Sequence, residues 1–116
     1  MMTIRQGQVY WLDFGPATGS DPAGRRPCVV VQNDVFNRSA IATTVVCLIT
    51  SNLTRAKAPG NVPLKKGEAN LPRASVVNVS QILTVDKAEL TESVGHLSPA
   101  STSAVRDGLH LLFDLL

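Results

Sequence analysis

Two adjacent arginines, Arg25 and Arg26, stand directly before Pro27 at the end of a segment rich in glycine and proline. That segment, Gly15 to Gly24, contains three glycines and two prolines and sits between two apolar runs. It cannot continue a helix or a strand, because Gly and Pro fix unusual backbone angles. It is read as a shaped loop that delivers two permanently charged, planar donors to one place. Such donors suit a phosphate better than almost any other ligand. The plainer reading open from these residues alone is a hairpin connection carrying solvated arginines.

Other reactive side chains offer less. Cys28 lies in Pro27–Val31 and Cys47 in Val45–Ile49, both inside apolar runs. With no Cys-x-x-Cys spacing and no neighbouring histidine they do not form a metal site, and they are expected to be small buried hydrophobes. A reactive thiol would need an electropositive, partly open setting. His110 is expected on the solvated face of a C-terminal helix, and His96 is assigned no carboxylate or cysteine partner in sequence. No metal and no cofactor is therefore expected.

Net charge is only +2, but it is unevenly spread. Residues 1–85 carry nine Lys/Arg against four acids, and residues 86–116 carry two against five. The front of the chain thus has the footprint of a polyanion binder. No run reaches the roughly 18 apolar residues of a membrane span. Met1–Gln6 lacks the apolar stretch of a signal peptide, so a cytoplasmic protein is expected. At 116 residues and 44 % hydrophobic content, one domain with a modest core is predicted. A small apolar chain of this kind often hides surface in an oligomer, and a homodimer is expected.

The elements that must position the arginines can be read from periodicity. Gln8–Phe14 reads as a strand, with Tyr10, Leu12 and Phe14 on one face and Val9, Trp11 and Asp13 on the other. Pro27–Gln32 and Ala42–Thr50 are apolar on both faces, as strands covered on both sides would be. Turn-forming Asn, Asp and Ser at 33–39 separate them. Asn61–Lys65 makes a short strand whose Pro63 suits a sheet edge. Ala74–Val79 is a strand that Gln81–Val85 either continues or leaves by a tight turn. Ser98 as N-cap and Pro99 as first residue start a helix. Its packed face is predicted to be Val105, Gly108, Leu109, Leu112, Leu115 and Leu116. Short strands, long loops and one terminal helix describe a small, partly open β-barrel.

Four motifs, in order, resemble the MazF/PemK family of toxin endoribonucleases. Gly7–Asp13 matches the family opening Gly-[Asp/Glu]-Val-[Tyr/Trp]-Trp-Val-Asp, and Gly19–Pro27 with Val29–Asn33 matches the loop and strand that follow. Thr50-Ser51 matches the Thr-Ser ending the third strand, and Gln81–Lys87 matches Gln-Ile-x-Thr-[Ile/Val]-Asp-Lys. Asp21-Pro22 departs from the usual Glu-Gln, and Leu83 stands where many members carry a basic residue.

The resemblance implies an SH3-like barrel of the CcdB/MazF/PemK type, mainly β with a C-terminal helix, spanning residues 1–116 as one domain. It implies a homodimer that cuts single-stranded RNA at a short sequence without metal, leaving 2′,3′-cyclic phosphate and 5′-hydroxyl ends. mRNA is the first substrate class, with rRNA and tRNA beside it. Catalysis maps to Arg26 and Thr50. RNA reading or positioning is expected of Ser20, Arg25, Asn33, Ser51 and Gln81, with strand-end hydrogen bonding to backbone the equal alternative for Asn33 and Gln81. Arg55, Lys57, Lys65 and Lys66 are expected either to form an electrostatic funnel or to be solvated surface charges. A cognate antitoxin with an acidic, flexible segment is the implied protein partner. Two alternatives stay open: a gyrase poison like the CcdB toxins, which share the fold, and a non-catalytic RNA-binding barrel.

Overall fold

The computed structural model describes residues 3–16, 19 and 23–115. Six strands follow one another as β1 (Gln8–Asp13), β2 (Arg25–Val30), β3 (Thr43–Thr50), β4 (Val62–Leu64), β5 (Ser75–Asp86) and β6 (Glu92–His96). A one-turn helix α1 (Asp34–Asn37) joins β2 to β3, and the long helix α2 (Pro99–Phe113) ends the chain. The strands form one antiparallel sheet in the order β4-β5-β3-β2-β1-β6. The sheet curls into an open half-barrel of the SH3-like, CcdB/MazF/PemK type.

Both sheet faces are buried in the middle strands, which is why those strands are apolar throughout. Val9, Val29, Cys47, Ile49, Val77 and Val79 face one core, closed by Leu97 and Val105 of the C-terminal segment. Tyr10, Leu12, Cys28, Val30, Val46 and Leu48 face a second core with Ile4 and Leu90. The alternation predicted for β1 therefore holds, with Phe14 packed against the second core.

β5 answers the choice left open in the sequence: residues 81–85 continue the strand. The continuation is irregular. Cys47 pairs with Ile82 but Leu48 pairs with Asn78, so Val79–Gln81 bulge out of the ladder. A bulge bends a strand and increases local twist, and this one helps the sheet curl. Pro63 lies in β4, an edge strand, as its missing N–H requires.

The sequence gives no sign of β6, whose residues Glu92, Ser93, Gly95 and His96 lack apolar alternation. It forms because the far edge of β1 is otherwise unpaired. Among the described residues no ladder joins the edge strands β4 and β6, and a 3-10 turn at Glu68–Asn70 packs against β6 instead. Asn70 Nδ2 donates to the carbonyl of Val94 at 2.9 Å. A Cβ on Gly95 would lie 2.6 Å from the Ala69 carbonyl oxygen, so glycine is needed there.

α2 begins as expected, with Ser98 Oγ accepting the Ser101 N–H at 3.1 Å and Pro99 at its first position. Its predicted packed face is only half right. Val105 and Gly108 are buried and Leu109 packs on the first core, but Leu112 is 43 % and Leu115 59 % exposed. The helix rests on β4 and β5 over its middle, and its last turn extends past the cores. Leu116 lies outside the described residues.

Candidate active site

The glycine-rich loop is closed at its neck by backbone. Phe14 N donates to Gly24 O at 2.9 Å and Gly24 N to Gly15 O at 2.7 Å. Gly15 and Gly24 both take positive φ (+72° and +70°), which glycine adopts without strain. The neck sets where β2 starts, and the register then places Arg25 opposite Asp13 and Arg26 opposite Leu12. Ser20, with Asp21 and Pro22, lies outside the described residues.

Arg26 and Thr50 arrive at one level on neighbouring strands. Cys28 pairs with Leu48, so two residues nearer the start of β2 the antiparallel register sets Arg26 level with Thr50. Alternation then gives both side chains the same sheet face. Arg26 Nε donates to the Ala23 carbonyl at 2.9 Å, which orients the guanidinium. Its two terminal nitrogens make no hydrogen bond among the described residues. Thr50 Oγ1 accepts the Asn52 N–H at 3.1 Å, and its own O–H remains able to donate. Asn52 in turn caps the 3-10 turn Leu53–Lys57. Arg55 and Lys57 sit on that turn and are exposed.

Arg25 and Ser51 fall on the opposite face. The Arg25 guanidinium lies 4.7 Å from the centroid of Trp11 and is ion-paired with Glu92 of β6. This charge is partly neutralised inside the molecule. Asn33 is the N-cap of α1, its Oδ1 accepting the Val35 N–H at 2.8 Å. Gln81 sits at the β5 bulge, exposed, with its Oε1 accepting from Asn78 Nδ2 at 2.9 Å. Lys87, the last residue of the same motif, has a structural job: its Nζ donates to the carbonyls of Asn37 and Ser39 and ties α1 to the end of β5.

A groove of about 350 Å³ runs from the start of β2 across the end of β3 to the segment before β5. Pro27, Ile49 and Leu71 give it an apolar floor, and Trp11, Arg25, Arg26, Ser51, Arg73 and Ser75 surround that floor. Arg25, Arg26 and Ser51 thus line one groove, whose floor belongs to the Arg25 and Ser51 face, while Thr50 faces the other side of the sheet and does not line it. Asn33 and Gln81 do not line it. Trp11, Arg73, Ser75 and Glu92 were not legible as site residues. Arg73 is only one basic residue among nine in the front of the sequence, and its place becomes visible once strand order is known.

Neither cysteine belongs to this chemistry. Burial pushes both the Cys28 and the Cys47 thiol up to about 12, so they stay protonated at neutral pH. Among the described residues no group of three or more His, Cys, Asp or Glu is placed to hold a metal ion.

The family model of PemK-like, MazF-like toxins of type II toxin–antitoxin systems matches residues 5–113. The chain belongs to this family. Among curated MazF relatives, Endoribonuclease MazF6 of Mycobacterium tuberculosis is 45 % identical over 114 residues, 98 % of this chain and 100 % of the relative. Endoribonuclease EndoA of Bacillus subtilis is 35 % identical across 99 % of this chain and 98 % of its own length. A mycobacterial endoribonuclease solved in complex with its cognate antitoxin superposes with a TM-score of 0.77 at 27 % identity, covering 100 % of this chain and 98 % of that one. MazF from Deinococcus radiodurans gives 0.76 at 26 % identity, with 99 % and 100 % covered.

Proposed function

We propose that this MazF/PemK-family chain is a sequence-specific endoribonuclease, the toxin of a type II toxin–antitoxin pair, and that Arg26 and Thr50 carry its chemistry. Full-length relatives named as endoribonucleases support the activity. The observation that carries the site is the β2–β3 register, which, continued two residues past Cys28 and Leu48, sets Arg26 and Thr50 level on one sheet face. In the proposed reaction the RNA 2′-oxygen forms a bond to the neighbouring phosphorus and loses its proton. The bond from phosphorus to the 5′-oxygen breaks, and that oxygen leaves with a proton. The products carry 2′,3′-cyclic phosphate and 5′-hydroxyl ends.

The transition state gathers negative charge on the nonbridging oxygens. The terminal nitrogens of Arg26 are preset donors for it, and the Thr50 hydroxyl adds a further one. Neither group is a base near neutral pH, so the pair's contribution is electrostatic. The nucleophile belongs to the substrate, which is why metal-independent cleavage is proposed. Ser20, Arg25, Ser51 and Gln81 are proposed to contact the RNA around the cut. The Nδ2 of Asn33 is the group proposed to reach RNA while its Oδ1 caps α1.

We place the activity in the cytoplasm, where mRNA is the substrate, and under control of a cognate antitoxin whose acidic, flexible segment competes for the same cations. No helix among the described residues is long and apolar enough to cross a membrane. The test is to incubate the purified protein with a long, weakly structured RNA in chelator and map the fragment ends. Discrete cuts with cyclic phosphate ends are expected. In Arg26→Ala or Thr50→Ala, folded as judged by circular dichroism, the rate should fall by roughly 10²–10³. Gyrase-dependent DNA breaks, or RNA binding without cuts, would overturn the reading, as would wild-type turnover in Arg26→Ala.

A further inference from the structure

We propose that Arg73 is the second phosphate-holding cation of the groove, binding the RNA backbone at a phosphate next to the one that is cut. The inference rests on the endoribonuclease reading above and assigns the site a residue that the family motifs leave out.

The first observation is how the groove's charges are used. Arg25 already has a carboxylate partner in Glu92 and lies against Trp11. Arg26 is held at Ala23 and assigned to the reacting phosphate. Arg73 makes no side-chain hydrogen bond or ion pair among the described residues, and it lines the same groove from the opposite bank. A full positive charge lining a groove, without a counter-ion among the described residues, is what a strand of phosphates would neutralise.

The second observation is that Arg73 is held in place. Leu71 is 2 % exposed and anchors the segment in the first core. Pro72 fixes the next backbone angle. The Arg73 carbonyl accepts the Ser75 hydroxyl at 3.0 Å, just where β5 begins. The backbone around Arg73 is thereby ordered before any ligand arrives, which lowers the cost of binding.

The third is spacing. β3 lies between β2, which starts with Arg25 and Arg26, and β5, which Arg73 precedes. Neighbouring strands are about 4.8 Å apart, so the two banks are on the order of 10 Å from each other. Long guanidinium side chains reaching inward from both banks can hold successive phosphates of an extended strand. Half-buried Trp11 and Pro27 are the apolar residues of the groove that keep surface for a nucleotide.

The experiment uses an oligonucleotide that spans a mapped cleavage site and carries 2′-deoxyribose at the cut position. Binding to the wild-type protein, Arg73→Ala and Arg73→Lys is measured across a salt series, and cleavage of the all-ribose oligonucleotide is followed at saturation. For Arg73→Ala the expected result is roughly tenfold weaker binding at moderate salt. The slope of log affinity against log salt should flatten by about 0.7, the single-strand value for one lost phosphate contact. KM should rise while kcat stays within about twofold, and Arg73→Lys should recover the slope. Unchanged affinity and slope in Arg73→Ala, while the wild type still cuts, would overturn the assignment and leave the endoribonuclease reading standing. So would a loss confined to kcat, or a loss confined to binding of an acidic antitoxin peptide. A wild type that neither binds nor cuts RNA would instead overturn the endoribonuclease reading itself.

Discussion

Arg25 and Arg26 are neighbours in sequence with opposite fates in the fold. β-alternation separates them, so one meets Glu92 and Trp11 while the other's terminal nitrogens make no hydrogen bond among the described residues. Removing the internal carboxylate should hand a second charge to the ligand. Glu92→Gln is therefore expected to tighten RNA binding at low salt and to steepen the salt dependence by up to about 0.7, read by titration with uncleavable RNA. An unchanged slope would mean that Arg25 already reaches phosphate in spite of its partner. Which arginine is encumbered was not legible beforehand, because Glu92 stands 67 positions away in a strand without a sequence pattern. The pairing of Arg26 with Thr50 was legible only through motif resemblance, since the register that sets them level belongs to β2 and β3 together.

Among the elements, the apolar strands, the edge position of Pro63 and the start of α2 follow from local chemistry, and all three were readable. What was not readable depended on long-range pairing: the β5 bulge, β6, and the point where α2 loses its support. Two consequences can be measured at this scale. A Cβ on Gly108 would lie 2.2 Å from the Gly60 carbonyl oxygen, far inside contact distance. Gly108→Ala should thus destabilise the fold by roughly 1–3 kcal/mol through overpacking, in spite of the ~1 kcal/mol that alanine offers a helix. A shift of the urea midpoint to lower concentration is the expected reading. The buried thiols give the second consequence. Their folded values near 12 exceed the ordinary value of 9, so the unfolded chain loses these protons first. Their contribution is intact below pH 9 and declines as pH rises toward 12, at up to about 1.4 kcal/mol per unit for each thiol. Urea midpoints between pH 8 and 10.5 should fall more steeply for the wild type than for Cys28→Ala/Cys47→Ala, and parallel curves would refute this.

The whole molecule leaves an apolar surface that its own core does not use. Leu111, Leu112, Phe113 and Leu115 are 43–61 % exposed along the end of α2. We propose that this end takes part in a homodimer, in keeping with the expectation from size and composition. Light scattering at micromolar concentration should give twice the 12.4 kDa chain mass, and Leu112→Glu/Leu115→Glu should return it to one chain. A wild-type monomer would rule the dimer out. The half-barrel as a whole was legible, since short two-sided strands with one terminal helix admit few other packings. Its free end was not, because a short turn, not a strand with a recognisable pattern, packs against edge strand β6.

The Gly60–Gly108 contact also shapes how the gene would behave under selection. If the product arrests growth, cells that survive its expression are enriched for broken copies, and those copies come in two kinds. On the proposed assignment, a change at Thr50 would leave a folded, abundant and silent protein that still presents its cations to an antitoxin. Changes at Gly60 or Gly108 force two backbones apart and leave a chain for the proteases. Only survivors of the first kind keep titrating antitoxin, so one seam of two glycines divides harmless alleles from alleles that can still unleash an intact copy elsewhere in the cell.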